Sequence, residues 1–273
     1  MDERRRDLAE FLRSRREAVG PDDVGLPPGA RRRTPGLRRE EVALLAGVSV
    51  TWYTWLEQGR AINASRDVLD ALARTLLLDD VEHAHLLALA DPVEDPAPGA
   101  DGPATPPPDV LVRLLDALDP TPAYVLGPRW EYLAWNDAQD RLFPGVERLD
   151  GVERNLLWIV LVDPTARALI VGWEGEAAHM VRQFRADTAT RRDDPVVVEL
   201  VDRLRRASEP FAGWWDAHDV AGPRTRLRAY DHPVAGRLTF EYAQHVPLEW
   251  PELRIVTQLG LPDDDSVERL AAG

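Results

Sequence analysis

The stretch DPVEDPAPGADGPATPPP, residues 91–108, constrains the fold more than any other part of the 273-residue chain. It holds seven prolines, two glycines and four acids, with almost nothing to bury. Each proline fixes its own φ and lacks an amide donor, so neither a helix nor a sheet ladder runs through such a segment. The chain is therefore expected to fold as two bodies, residues 1–90 and 109–273, joined by a linker over 91–108. Extended as polyproline, that linker reaches roughly 3.1 Å per residue and can hold the two bodies apart as a semi-rigid spacer.

Before the linker the apolar spacing is helical throughout. Leu8, Phe11, Leu12 and Val19 mark one face of a helix over about 4–19, Val42 and Leu45 a short second helix, and Tyr53 and Leu56 a third. Ser65 is placed to cap a fourth through Val68, Leu69, Leu72 and Leu76. Asp79 and Glu82 form a capping box for a fifth that ends near Leu89. Five helices in this span predict an all-α N-terminal domain.

Helices two and three carry a more specific pattern. A helix-turn-helix needs a small residue at the crossing, a turn residue at positive φ, and apolar positions that lock the second helix on the first. Ala43, Gly47, Val48, Tyr53 and Leu56 supply these in order. Ser49 is expected to cap the recognition helix, whose other face carries Val50, Thr51, Trp52, Thr54 and Trp55. Valine and threonine can meet a thymine methyl, and threonine can hydrogen-bond base edges. Arg33, Arg38, Arg39 and Arg60 flank this helix as expected phosphate contacts, which predicts strong salt sensitivity.

The net charge of −14 argues the other way until it is divided. Residues 1–90 hold 14 arginines against 15 acids, whereas the remainder holds 19 against 32. Every basic residue is an arginine. Within 31–60, six arginines face three acids. Screening over about 8 Å at physiological salt lets that local patch act on duplex DNA despite the acidic remainder.

Beyond the linker helical and strand signals mix. Asp109–Leu118 reads as a helix. AYVLG (123–127) and RWEYLAW (129–135) read as strands, with Asn136 capping the helix that follows. Trp173, Ala177, Met180, Val181 and Phe184 share one helix face. Asp194 and Pro195 open another helix with Val197, Leu200, Val201 and Leu204 inward. RLTFEYA (237–243) alternates as a half-buried strand, and TRLRAYD and LRIVTQL complete an antiparallel group. The C-terminal fold class is α+β. Seven of nine tryptophans lie in this part, enough either to fill a core or to wall an apolar pocket.

Residues 35–60, PGLRREEVALLAGVSVTWYTWLEQGR, resemble the Xre/Cro-type, lambda-repressor-like helix-turn-helix of phage repressors. With GLPPGARRRTPGLRREEVALLAGVS (25–49) the chain is similar to the MmyB-like actinobacterial regulators. The similarity continues in LAWNDA, ERNLL, WWDAHDV and HPVAGRLTFEY. The resemblance implies a PAS-like ligand-binding domain with an antiparallel sheet after the DNA-binding domain, and a regulator of transcription that responds to small apolar molecules such as fatty acids. Tyr124, Trp135, Trp158, Trp173, Phe184, Trp214, Phe240 and Tyr242 are then the expected pocket lining. A homodimer on a palindromic double-stranded operator is the geometric expectation for the helix-turn-helix motif. Where relatives often carry an arginine this chain has Trp55, so their operator sequence does not transfer.

A non-catalytic protein-interaction module, with a helical docking domain and a closed core, is the alternative from another class. Catalysis is not expected. The histidines at 83, 85, 179, 218, 232 and 245 lack the H-E-x-x-H spacing, and there is no phosphate-cradling glycine loop and no G-x-S-x-G. No cofactor or metal is expected. The opening MDERRRDLAEF is unlike a signal peptide, LLWIVLV (156–162) is too short to cross a bilayer, and cysteine is absent, so a cytoplasmic protein without membrane contact is expected.

Overall fold

The computed structural model describes residues 3–27, 36–90 and 106–273. The first helix, α1 (Glu3–Ala18), buries Leu8, Phe11 and Leu12 on one stripe. It packs against α3 (Val50–Glu57) and α5 (Asp80–Ala90), and with α2 (Arg39–Ala46) and α4 (Arg66–Thr75) these enclose a core that includes Leu37, Val42, Tyr53, Leu72 and Leu86. The capping box of α5 forms as the spacing predicts: the Asp79 carboxylate accepts from Glu82 N–H at 2.8 Å, and Glu82 from Asp79 N–H at 3.1 Å. Ser65 stands at the N-cap position of α4, but its hydroxyl bonds no amide of the first turn.

After α6 (Asp109–Leu118) come β1 (Ala123–Leu126) and β2 (Tyr132–Trp135), then α7 (Asp137–Leu142), α8 (Leu156–Val162), α9 (Pro164–Leu169), α10 (Trp173–Asp187), α11 (Pro195–Ala207) and α12 (Glu209–Asp216). The strands β3 (Arg226–His232), β4 (Gly236–His245) and β5 (Arg254–Gly260) precede α13 (Ser266–Ala272). The five strands form one antiparallel sheet in the order β2-β1-β5-β4-β3. This is the expected α+β, PAS-like architecture behind a helix-turn-helix region.

Strand alternation sends Tyr124, Arg228, Tyr230, Leu238, Phe240, Tyr242 and Val256 to the inner face, under the helices from α8 to α12. The outer face takes Ala123, Val125 and Ile255, on which Leu111 and Leu115 of α6 pack. β2 is shorter than RWEYLAW predicts, because Trp130 turns the chain at φ 66 and buries its ring to 1%. Two asparagines hold the corners. Asn136 Oδ1 accepts from the amides of Ala123 and Gln139, both at 3.0 Å, while its Nδ2 donates to the carbonyls of Leu115 and Thr121. Asn155 Nδ2 donates to the Arg129 carbonyl at 2.7 Å, and its Oδ1 caps α8. These are the asparagines of LAWNDA and ERNLL, so both stretches encode backbone pins.

The expectation that the two bodies stand apart is corrected by their contacts, for which a proline-rich linker carries no signal. Arg15 of α1 pairs with Asp219 and, at 2.6 Å, with Glu82. Arg192 pairs with Asp7, and His218 faces Glu10 at 3.0 Å. Val220 packs on the edge of the N-terminal core. Linker residues 91–105 lie outside the described residues.

Candidate nucleic-acid interface and sensor core

The turn before α3 follows from two residues. Gly47 ends α2 at φ 71 with open space around its Cα, so a side chain there strains the backbone without colliding. Gly47→Ala is expected to cost about 1–2 kcal/mol, the left-handed penalty of a residue bearing Cβ, read as a lower urea midpoint. Ser49 then caps α3, its hydroxyl accepting from Trp52 N–H at 3.1 Å.

α3 is two-faced. Tyr53, Leu56 and Glu57 are buried, while Val50, Thr51 and Trp55 are exposed. Thr54 is half-buried, and Trp52 packs part of its ring on the helical core, so it offers less to a duplex than its sequence position suggests. Trp55 carries the Arg60 guanidinium 5.5 Å from its ring centroid, which holds a cation at the C-terminal end of α3. Arg38 is exposed, its backbone amide bound by Glu41 at 2.7 Å and its guanidinium 3.4 Å from Glu40. Arg33 lies outside the described residues.

Arg39 is different: it donates to Glu57 at 2.9 Å and is only partly open to solvent. Glu57 is wholly buried and also receives Arg16, Nε at 2.9 Å and Nη2 at 2.8 Å. A third Arg16 nitrogen donates to the Leu37 carbonyl at 2.9 Å. Burial pushes the Glu57 carboxyl up, and the Arg16 and Arg39 guanidinia more than offset this, holding it below its ordinary 4.5. This cluster, absent from the sequence reading, joins α1, the start of α2 and the end of α3. Its available signal was a charge on each apolar stripe: Arg16 four residues after Leu12, and Glu57 four after Tyr53.

In the second body, the eight aromatic residues expected to line a pocket share one cluster. Tyr124, Trp173, Phe184, Phe240 and Tyr242 are buried, and Trp135, Trp158 and Trp214 pack on them partly exposed. Trp173 Nε1 donates to the Val160 carbonyl at 2.6 Å. The inner sheet face is more polar than its aromatic count predicts. Arg228, buried to 4% exposure, lies 4.0 Å from the Tyr242 ring centroid, and Glu176 of α10 binds both it and Arg226. Tyr230 donates its hydroxyl to Gln258, which donates to Gln139 at 3.0 Å. His179 of α10 is buried, its pKa lowered to about 4 by burial and by Arg226.

Residues 107–272 match the family model described as the MmyB-like transcription regulator ligand binding domain, and residues 7–86 match a helix-turn-helix domain model. No curated protein matches the chain. Among the described residues no helix is long and apolar enough to cross a membrane.

Proposed function

The chain belongs to the MmyB-like transcription regulator ligand binding domain family and is a ligand-sensing regulator of transcription with a helix-turn-helix; on that premise we propose that it reads a palindromic operator as a homodimer and senses a small apolar molecule such as a fatty acid. One observation supports the DNA side most directly. Val50, Thr51 and Trp55 stand exposed on the face of α3 opposite Tyr53 and Leu56, and Arg38 and Arg60 flank them. Thr51 and Thr54 are assigned to base edges, Arg38 and Arg60 to phosphates. Arg39, shared with Glu57, is a lesser phosphate contact. A two-fold operator would space its half-sites one helical turn apart, about 34–36 Å.

The sensor reading rests on the convergence of the eight aromatic side chains on one core. Five of them are buried, so a ligand that reaches them parts α10 from the sheet. Coupling to DNA then requires that the ligand prefer one arrangement of the two bodies over another. The domain limits 1–90, 91–108 and 109–273 are part of the same proposal, as is a cytoplasmic, non-catalytic role.

Selection from random-sequence duplexes tests the DNA reading, with enrichment of a palindrome as the expected result. Arg60→Ala should then weaken binding on all sequences alike and reduce the salt slope by about 1. Absent or salt-insensitive binding would turn the assignment toward a protein-docking module. Native mass spectrometry of the purified chain tests the sensor, with a co-purifying lipid as the expected result.

A further inference from the structure

The joint between the two bodies encloses a cleft of about 710 Å³. One wall is α1, with Glu10 and Arg13. The other is built from α10, α11 and the end of α12, with Arg185, Val197, Val201 and Trp215. Its charged groups are mostly matched. Asp7 is bound by Arg192 and Asp216 by Arg205, while Glu10 faces, at 3.0 Å, a His218 whose pKa burial and then Arg185 lower to about 4.

Arg185 is the exception. It is 2% exposed, and among the described residues no carboxylate pairs with it. Its guanidinium lies 4.0 Å from the centroid of the Trp215 ring and donates to the Trp215 carbonyl, while its Nε has no partner. Burial is the main reason its pKa falls to about 10, with Arg205 adding repulsion and Asp216, Glu10 and Asp219 opposing the fall without touching it. A buried guanidinium with no carboxylate in direct contact, and a buried N–H without an acceptor, are both unfavourable, and an anion that reaches them relieves both at once. Asp7, Glu10 and His218 bring ligand atoms within 4.8 Å of one another, a grouping that could hold a cation. Arg192 already occupies Asp7, and the positive charge of Arg185 bears on His218, so a metal ion is disfavoured there.

We propose that this cleft is a binding site for a small organic anion, a carboxylate or phosphate monoester with a modest apolar group, that pairs with Arg185 and packs on Trp215, Val197 and Val201. The anion would sit against α1 and so stiffen the hold of the C-terminal body on the DNA-binding helices. Aromatic stacking keeps the Arg185 plane fixed for a forked contact. The site is separate from the inner sheet face and does not depend on what that face binds.

The test uses the full chain and two probes, sodium phosphate and sodium benzoate, at ionic strength held constant with sodium chloride. Thermal unfolding, tryptophan fluorescence and amide hydrogen exchange are the readouts. Either probe or both should raise Tm above the chloride control, and exchange should slow at α1 and at residues 185–218. Arg185→Met should weaken the probe by about tenfold or more, the scale of one lost charge-assisted contact. In chloride alone the same variant should stay close to the parent in stability, since no direct ion pair is broken and the desolvated charge is removed along with its contacts to Trp215. Arg185→Lys, which keeps the charge but not the fork, should bind more weakly than the parent. If the probes act no differently from chloride, if Arg185→Met keeps the full response, or if protection falls only on the sheet interior, the proposal is overturned. Should neither variant fold, the exchange pattern of the parent decides between the same two outcomes.

Discussion

Replacing Glu57 by glutamine is expected to destabilise the N-terminal helical part by about 3–5 kcal/mol, the cost of leaving a buried charge without its partner. Glutamine keeps the size of the side chain, so no cavity confounds the result. What is lost is the carboxylate that Arg16 meets through Nε and Nη2 and that Arg39 shares. Arg16 is 4% exposed and keeps only the more exposed Glu17 carboxylate, 3.2 Å from its Nη2, too open to solvent to replace Glu57. A small domain has about 5–15 kcal/mol of stability in total, so the loss takes a large share of it. Urea unfolding of the full chain should show an early transition for the helical part, and operator affinity should fall with the folded fraction. A double replacement, Arg16→Met with Glu57→Gln, should recover much of the loss, because Arg39, and Arg13 whose Nε lies 3.7 Å from Glu57, can turn to solvent. A change below about 1 kcal/mol in the single variant would show the pair to be dispensable.

The same carboxylate sets a pH dependence whose sign follows from its depressed pKa. Glu57 is held below its ordinary 4.5, so its contribution is complete above that value and is lost as pH falls through the folded pKa. Acid titration should therefore separate parent and Glu57→Gln at neutral pH and bring them together well below pH 4.5. If the separation stayed constant across the acid range, the carboxylate would not be the group responsible.

How much of this was legible beforehand depends on the length scale of each interaction. The caps at Ser49, Asn136 and Asp194, and the box at Asp79 and Glu82, act within three residues, so spacing alone predicts them. The buried faces of α10 and β4 follow from periods of 3.6 and 2, and Trp173, Phe184, Phe240 and Tyr242 lie where those periods put them. Long-range polar contacts leave no such trace. Arg16 and Glu57 are 41 positions apart, and Arg15 and Asp219 are 204 apart. In a chain whose every cation is an arginine, a place on an apolar stripe, as for Arg16, can mark a side chain that turns inward but not the partner it meets. His218 shows the same limit: its spacing to the other histidines points to no partner, and only the fold, at a backbone φ of 56, brings Glu10 to it.

Glu176→Gln is the second variant expected to have a large effect, and its argument runs through the sensor core. Glu176 Oε2 accepts from Arg228 Nε at 2.9 Å and from Arg226 Nη2 at 2.7 Å, joining α10 to β3. Burial raises the Glu176 carboxyl, but Arg228 and then Arg226 bring it below its ordinary value. Without the carboxylate, Arg228 keeps only the Tyr242 ring and its tyrosine neighbours, and neither carries a formal negative charge at neutral pH. The expected cost is about 3 kcal/mol or more, with faster amide exchange along β3. Adding Arg228→Met should restore most of that loss, since the remaining Arg226 can be met by the glutamine oxygen. The comparison also bears on sensing, because a ligand that parts α10 from the sheet works against this contact. A weakened contact should then admit lipid more readily, so Glu176→Gln is expected to co-purify with more lipid than the parent if the aromatic core is the ligand site. Equal lipid content in parent and variant, with the destabilisation still present, would separate the structural role of Glu176 from ligand entry and place the ligand elsewhere.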